Sequence, residues 1–89
     1  MRYNCKIDDN QRAIIKVLQA CGASVQSLSA VRKGCPDLLV GIRGQNILLE
    51  IKQEGAKLTP DEGRFHASWK GQAAICRSPE DAIMLLGKY

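Results

Sequence analysis

Histidine, aromatic residues and long apolar runs are scarce in this sequence, and each scarcity removes a class of function. The only histidine, His66, has no evident nucleophile partner, which argues against a serine or cysteine hydrolase. No Cys-x-x-Cys pair occurs. The cysteines at positions 5, 21, 35 and 76 lie too far apart for a local zinc set, with only His66 to join them. They are expected as reduced thiols, mostly buried as small hydrophobes. No apolar run is long enough for a membrane helix. The opening residues, Met1-Arg2-Tyr3-Asn4-Cys5, lack the apolar core of a signal peptide, so the expected location is cytoplasmic, with no membrane partner. Repeats, low-complexity segments and Lys/Arg blocks are missing too.

What is present reads as one domain over residues 1–89, long enough for a core but only a thin one. The net charge of +4 is spread along the chain. It fits a polyanionic partner, and it fits a solvated surface equally well.

The glycines punctuate short periodic stretches. Ile14, Ile15, Leu18 and Cys21 recur at helical spacing and predict a first helix from about Asp9 to Cys21, with Asp8 as N-cap and Gly22 at C′. Gln11 points inward with them. Either it closes a capping box with Asp8, which the pattern favours, or it reaches a site beneath the helix. Ala23–Leu28 reads as a strand, Ser29–Gly34 as a polar loop and Asp37–Ile42 as a buried strand. A turn at 43–46 then leads into a strand over Asn46–Lys52. Thr59-Pro60-Asp61-Glu62 announces a second helix with a capping box, Phe65 and Trp69 on its inner face and Gly71 at its end. Gln72–Cys76 is a short strand, and Ser78 opens a last helix through Leu86. The order is helix, three strands, helix, strand, helix: an α/β sandwich of one mixed sheet flanked by helices.

Within the hairpin, Glu50 and Lys52 share one strand face, and Ile47, Leu49 and Ile51 take the other. A four-residue turn sets Ile42 against Ile47 and Asp37 against Lys52. Glu50 is then diagonal to Asp37, roughly 7–8 Å away. Two carboxylates so placed can converge on one hard cation such as Mg²⁺, which keeps both ionised and activates water at a phosphodiester. Lys52 beside them can orient that water or stabilise the transition state. A plain cross-strand Asp37–Lys52 ion pair on a solvent face fits the same residues as well.

Gly34-Cys35-Pro36-Asp37-Leu38-Leu39-Val40 followed by Leu49-Glu50-Ile51-Lys52 resembles the Pro-Asp…(Asp/Glu)-x-Lys signature of a large nuclease superfamily. With Asp9-Asn10-Gln11 upstream and Lys57-Leu58-Thr59-Pro60…Phe65…Trp69-Lys70-Gly71 downstream, the string is similar to the VRR-NUC (virus-type replication-repair nuclease) branch, in its small stand-alone phage and bacterial form, over roughly residues 8–86. The resemblance implies a restriction-endonuclease-like α-β-β-β-α-β core with a C-terminal helix. It also implies a Mg²⁺- or Mn²⁺-dependent endodeoxyribonuclease of a phage-infected or bacterial cell. Asp37, Glu50 and the Ile51 carbonyl match the metal ligands, and Lys52 the catalytic lysine. Gln11 stands where many relatives carry a first-helix glutamate, able to hold a water but not to act as a base. Glu62 stands where relatives often have glutamine, and reads better as a cap than as a catalytic group. Small members are similar to Holliday-junction resolvases, which implies branched DNA as partner and a homodimer, since symmetric cleavage of a four-way junction needs two sites related by a two-fold axis.

Candidates for phosphate contacts are Arg32 and Lys33, just before Asp37, and Arg12, Lys16, Arg43, Lys57 and Arg64. Each is singly better explained as solvated surface. His66 reads as a partly exposed helix residue, with proton shuttling as its alternative. Trp69 reads as core rather than as a base-stacking platform. Two other functions remain open: a nucleic-acid-binding module with a degenerate nuclease site, and a small interaction domain in which Asp37 and Lys52 are structural.

Overall fold

A computed structural model describes residues 5–31 and 34–89, with side chains from Asp9 onward. Along the described residues the order is α1 (Cys5–Ala20), β1 (Ser24–Ser27), β2 (Leu38–Ile42), β3 (Gln45–Ile51), α2 (Pro60–Ser68), β4 (Ala73–Cys76) and α3 (Pro79–Leu86). This is the expected order. The sheet runs β1-β2-β3-β4, antiparallel except for the parallel β3/β4 pair, which α2 connects.

α1 begins before the expected start, so Asp8 lies within the helix and is not its N-cap. An acidic side chain in the first turns suits the positive end of a helix, so Asp9 does not have to stop it. The helix closes as expected: the Gly22 N–H donates to the Gln19 carbonyl and the Ala23 N–H to the Leu18 carbonyl, the paired bonds of a Schellman ending. Cys21, expected on the buried face, is exposed, because its position already belongs to this turn.

The core forms on one sheet face. Leu38, Val40 and Ile42 of β2 and Ile47, Leu49 and Ile51 of β3 meet Ile14 and Leu18 of α1 and Ala82 and Leu86 of α3. Alternation along β3 therefore turns Glu50 and Lys52 to the opposite face, toward α2.

The hairpin register differs from the expected one. Arg43 and Gly44 both have positive φ, 47° and 78°, which makes a two-residue turn of the primed kind that matches strand twist. Ile42 therefore pairs with Gln45, Val40 with Ile47 and Leu38 with Leu49. The pairing moves by two residues, so every side chain keeps its face while Asp37 gains a new opposite number. Among the described residues, no helix is long and apolar enough to cross a membrane.

Candidate active site

Asp37 is held from two directions. Its backbone carbonyl accepts from the Leu28 N–H at 2.8 Å, which extends the β1/β2 ladder by one rung. Its Oδ2 accepts from the Ile51 N–H at 2.7 Å. The approach to Asp37 depends on Gly34, which has φ +79° and packs against the start of α2. A Cβ there would lie 2.5 Å from the Asp61 carbonyl carbon and oxygen, so no side chain fits without moving backbone. Pro36 then buries fully, and Asp37 emerges at the head of β2.

Continuing the β2/β3 register by one residue sets Asp37 opposite Glu50, not Lys52. Directly opposed residues have Cβ atoms about 4.5–5.5 Å apart, closer than the diagonal spacing expected from sequence. Glu50 is only 2% exposed, and it is the one buried charged residue among those described. Burial, then the hydrogen bond and negative charge of Asp37, push its carboxyl up to about 8, against the weaker pull of Lys52. Its Oε1 is buried without a hydrogen-bond partner.

Lys52 turns instead to α2. Its Nζ lies 2.7 Å from Oε1 of Glu62. That oxygen also accepts from the Thr59 N–H at 2.9 Å, while Thr59 Oγ1 accepts from the Glu62 N–H. The expected capping box is therefore present, and the same glutamate reaches the cleft. Burial raises the Glu62 carboxyl, but the Lys52 and Thr59 hydrogen bonds outweigh it and hold the group below its ordinary value. One turn further along, His66 Nε2 lies 3.6 Å from Glu50 Oε1. The spacing explains both contacts. Four helical residues rise about 6 Å and two strand residues about 6.6–6.8 Å, so Glu62 and His66 match Lys52 and Glu50 rung for rung.

These groups border a cleft of about 290 Å³ lined by Asn10, Asp37, Glu50, Ile51, Lys52, Gln53, Ala56 and Glu62. From the first helix it is Asn10 that reaches the cleft. Gln11, its neighbour on the helix, is half-buried and does not line it. Arg77, unremarked in the sequence, holds the loop after β3: its Nη1 donates to the carbonyls of Gln53 and Ala56, each at 2.8 Å.

The proposed phosphate contacts scatter. Arg32 and Lys33 lie outside the described residues. Arg43 sits in the hairpin turn, at the far end of the strands from Asp37, and donates to the Leu86 carbonyl. Arg12 pairs with Asp9 and Arg64 with Asp61, while Lys16 and Lys57 are exposed.

One aromatic expectation is corrected. Trp69 is 47% exposed, because α2 ends at Ser68 and Trp69 caps it, stacked on Phe65 at 5.1 Å. His66 is partly exposed on α2, as expected, its side chain 14% exposed. Its i+4 spacing from Glu62 was the sequence signal that could have placed it on the site-facing side of α2.

The donor chemistry suits a hard divalent cation. Two carboxylates face one another, and both line one cleft with Ile51 and Lys52. Among the described residues no group of three or more His, Cys, Asp or Glu side chains is placed to hold a metal ion, so any cation here would rest on two carboxylates. Magnesium sites ordinarily use one or two protein carboxylates and keep several waters.

The fold is thus a mixed α/β sheet with two carboxylates and a lysine at one end, the layout of a nuclease-like core. A solved structure described as a VRR_NUC domain matches 92% of this chain and 95% of its own, at 28% identity and a TM-score of 0.78. The match supports the VRR-NUC family for this chain and suggests a nuclease-type function. No family model matches the chain, and no curated protein does.

Proposed function

We propose that this protein is a metal-dependent, structure-selective DNA endonuclease that hydrolyses phosphodiester bonds, resolvase-like on four-way junctions and acting as a homodimer. The observation that carries this reading is the opposed pair Asp37 and Glu50, beside Lys52 in one cleft.

Asp37, Glu50 and the Ile51 carbonyl would hold Mg²⁺ or Mn²⁺. The bound cation would supply charge neutralisation at the phosphate and a more acidic water. Asp37 keeps its carboxylate fixed through the Ile51 amide. Lys52, aimed into the cleft by Glu62, donates to the attacking water or to a non-bridging phosphate oxygen. Hydrolysis forms the new P–O bond from water, breaks the bond to the leaving oxygen and delivers a proton there. Recognition in this reading is by shape and backbone rather than by base sequence.

A binding module with a silent site is the second reading. It draws on Glu62, which occupies the Lys52 ammonium, and on Asn10, which brings no charge to the cleft.

End-labelled four-way junction, single-stranded and duplex DNA, incubated with Mg²⁺, Mn²⁺ or EDTA, separates the two. Paired, metal-dependent cuts near the branch point support the resolvase-like dimer. Retarded DNA with no product in either metal supports the binding module.

A further inference from the structure

We propose that His66 is a positioning residue for Glu50: its Nε2–H donates to Glu50 Oε1 and so fixes the carboxylate in the cation-binding pose. The proposal rests on the reading of Asp37 and Glu50 as a cation site.

Three observations carry it. His66 Nε2 and Glu50 Oε1 are both buried without a partner, and they face each other at 3.6 Å. A buried polar atom left unpaired is costly, and here the two orphans are complementary, a ring nitrogen able to donate against a carboxylate oxygen able to accept. A closure of about 0.4–0.9 Å brings them to hydrogen-bond distance. The imidazole is also held in place. The Phe65 ring meets it edge-on at 6.1 Å and 70°, and Phe65 is itself stacked on Trp69. Lastly, α2 is registered on β3 by the neighbouring Lys52–Glu62 rung, so His66 stays opposite Glu50.

The chemistry needs such a donor. An ionised Glu50 that gives one oxygen to a cation still has a second oxygen in a dry site. A ring N–H on that oxygen satisfies it and restricts rotation of the carboxylate. Groups that orient a ligand in this way typically change metal affinity about 10–100-fold.

The test is Mn²⁺ binding by the full chain, measured by calorimetry without DNA, for wild type, His66→Phe, His66→Gln and Asp37→Ala. His66→Phe keeps a ring without the donor and is expected to weaken Mn²⁺ binding about 10–100-fold. His66→Gln, which restores an N–H donor, is expected to recover most of the loss, which a packing role alone would not allow. Unchanged affinity in His66→Phe, with binding lost in Asp37→Ala, overturns the positioning role and leaves the cation site standing. No Mn²⁺ binding by wild type overturns both. Nitrogen NMR of the wild-type imidazole guards against misfolded variants. A protonated Nε2 in the Mg²⁺-loaded protein is expected, and a bare Nε2 contradicts the proposal.

Discussion

The Lys52 ammonium and the Thr59 backbone N–H converge on a single oxygen of Glu62, at 2.7 and 2.9 Å. One atom therefore starts α2 and aims the lysine. The loop from Gln53 to Leu58 is closed by this contact at one end and by the Arg77 guanidinium in its middle.

Glu62→Ala and Thr59→Ala each remove half of the capping box and are expected to cost about 1 kcal/mol. The double variant is expected to cost less than the sum, because both changes break one reciprocal unit. Urea unfolding midpoints of the four proteins check this. Strict additivity would contradict a shared cap.

Asp37 carries two separable roles. Asp37→Ala leaves the Ile51 N–H without its acceptor and is expected to lose about 1–3 kcal/mol of stability. Asp37→Asn retains an oxygen for that amide and removes the charge facing Glu50. It is expected to unfold near the wild-type midpoint while losing Mn²⁺ binding. Equal destabilisation in both variants would argue that the Ile51 contact is not the structural one.

Glu50 makes stability depend on pH in the metal-free protein. Its folded value of about 8 lies above the ordinary 4.5, so the folded chain holds this proton more tightly than the unfolded chain. That contribution is complete below about pH 4.5 and is lost as pH rises through about 8. Metal-free wild type is therefore expected to weaken from pH 5 toward pH 8. Glu50→Gln should flatten the slope. Denaturant melts across that range, in EDTA, decide the point, and identical slopes would contradict the burial of this carboxyl.

Gly34→Ala is expected to be among the most damaging single changes. The new Cβ would meet Asp61 backbone at 2.5 Å in a positive-φ position, where L side chains are strained. A loss above about 2 kcal/mol, read from thermal or urea unfolding, is the expected result. A wild-type midpoint would mean that the loop and α2 are not in contact.

Much of this was legible in the residues themselves. The Thr59–Glu62 box, the Gly22 ending and the period-two apolar set of β3 each reflect local chemistry, and the element order follows from them. The face shared by Glu50 and Lys52 was legible for the same reason. Their exact opposite number was not. It turned on Arg43 adopting a positive φ, which a sequence containing Arg43-Gly44-Gln45-Asn46 does not require. The i+4 spacing puts Glu62 and His66 on one face of α2, but which β3 residues that face meets was hidden, because it arises from packing α2 across the sheet. So was the exposure of Trp69, which depends on where the helix stops.

Cleavage of end-labelled DNA by wild type, Asp37→Ala, Glu50→Ala and Lys52→Ala, with Mn²⁺ or Mg²⁺ and with EDTA, bears most directly on the central claim. The account predicts products from wild type only, dependent on the added cation and absent from all three variants. Cleavage retained in all three variants, or undiminished in EDTA, would contradict it.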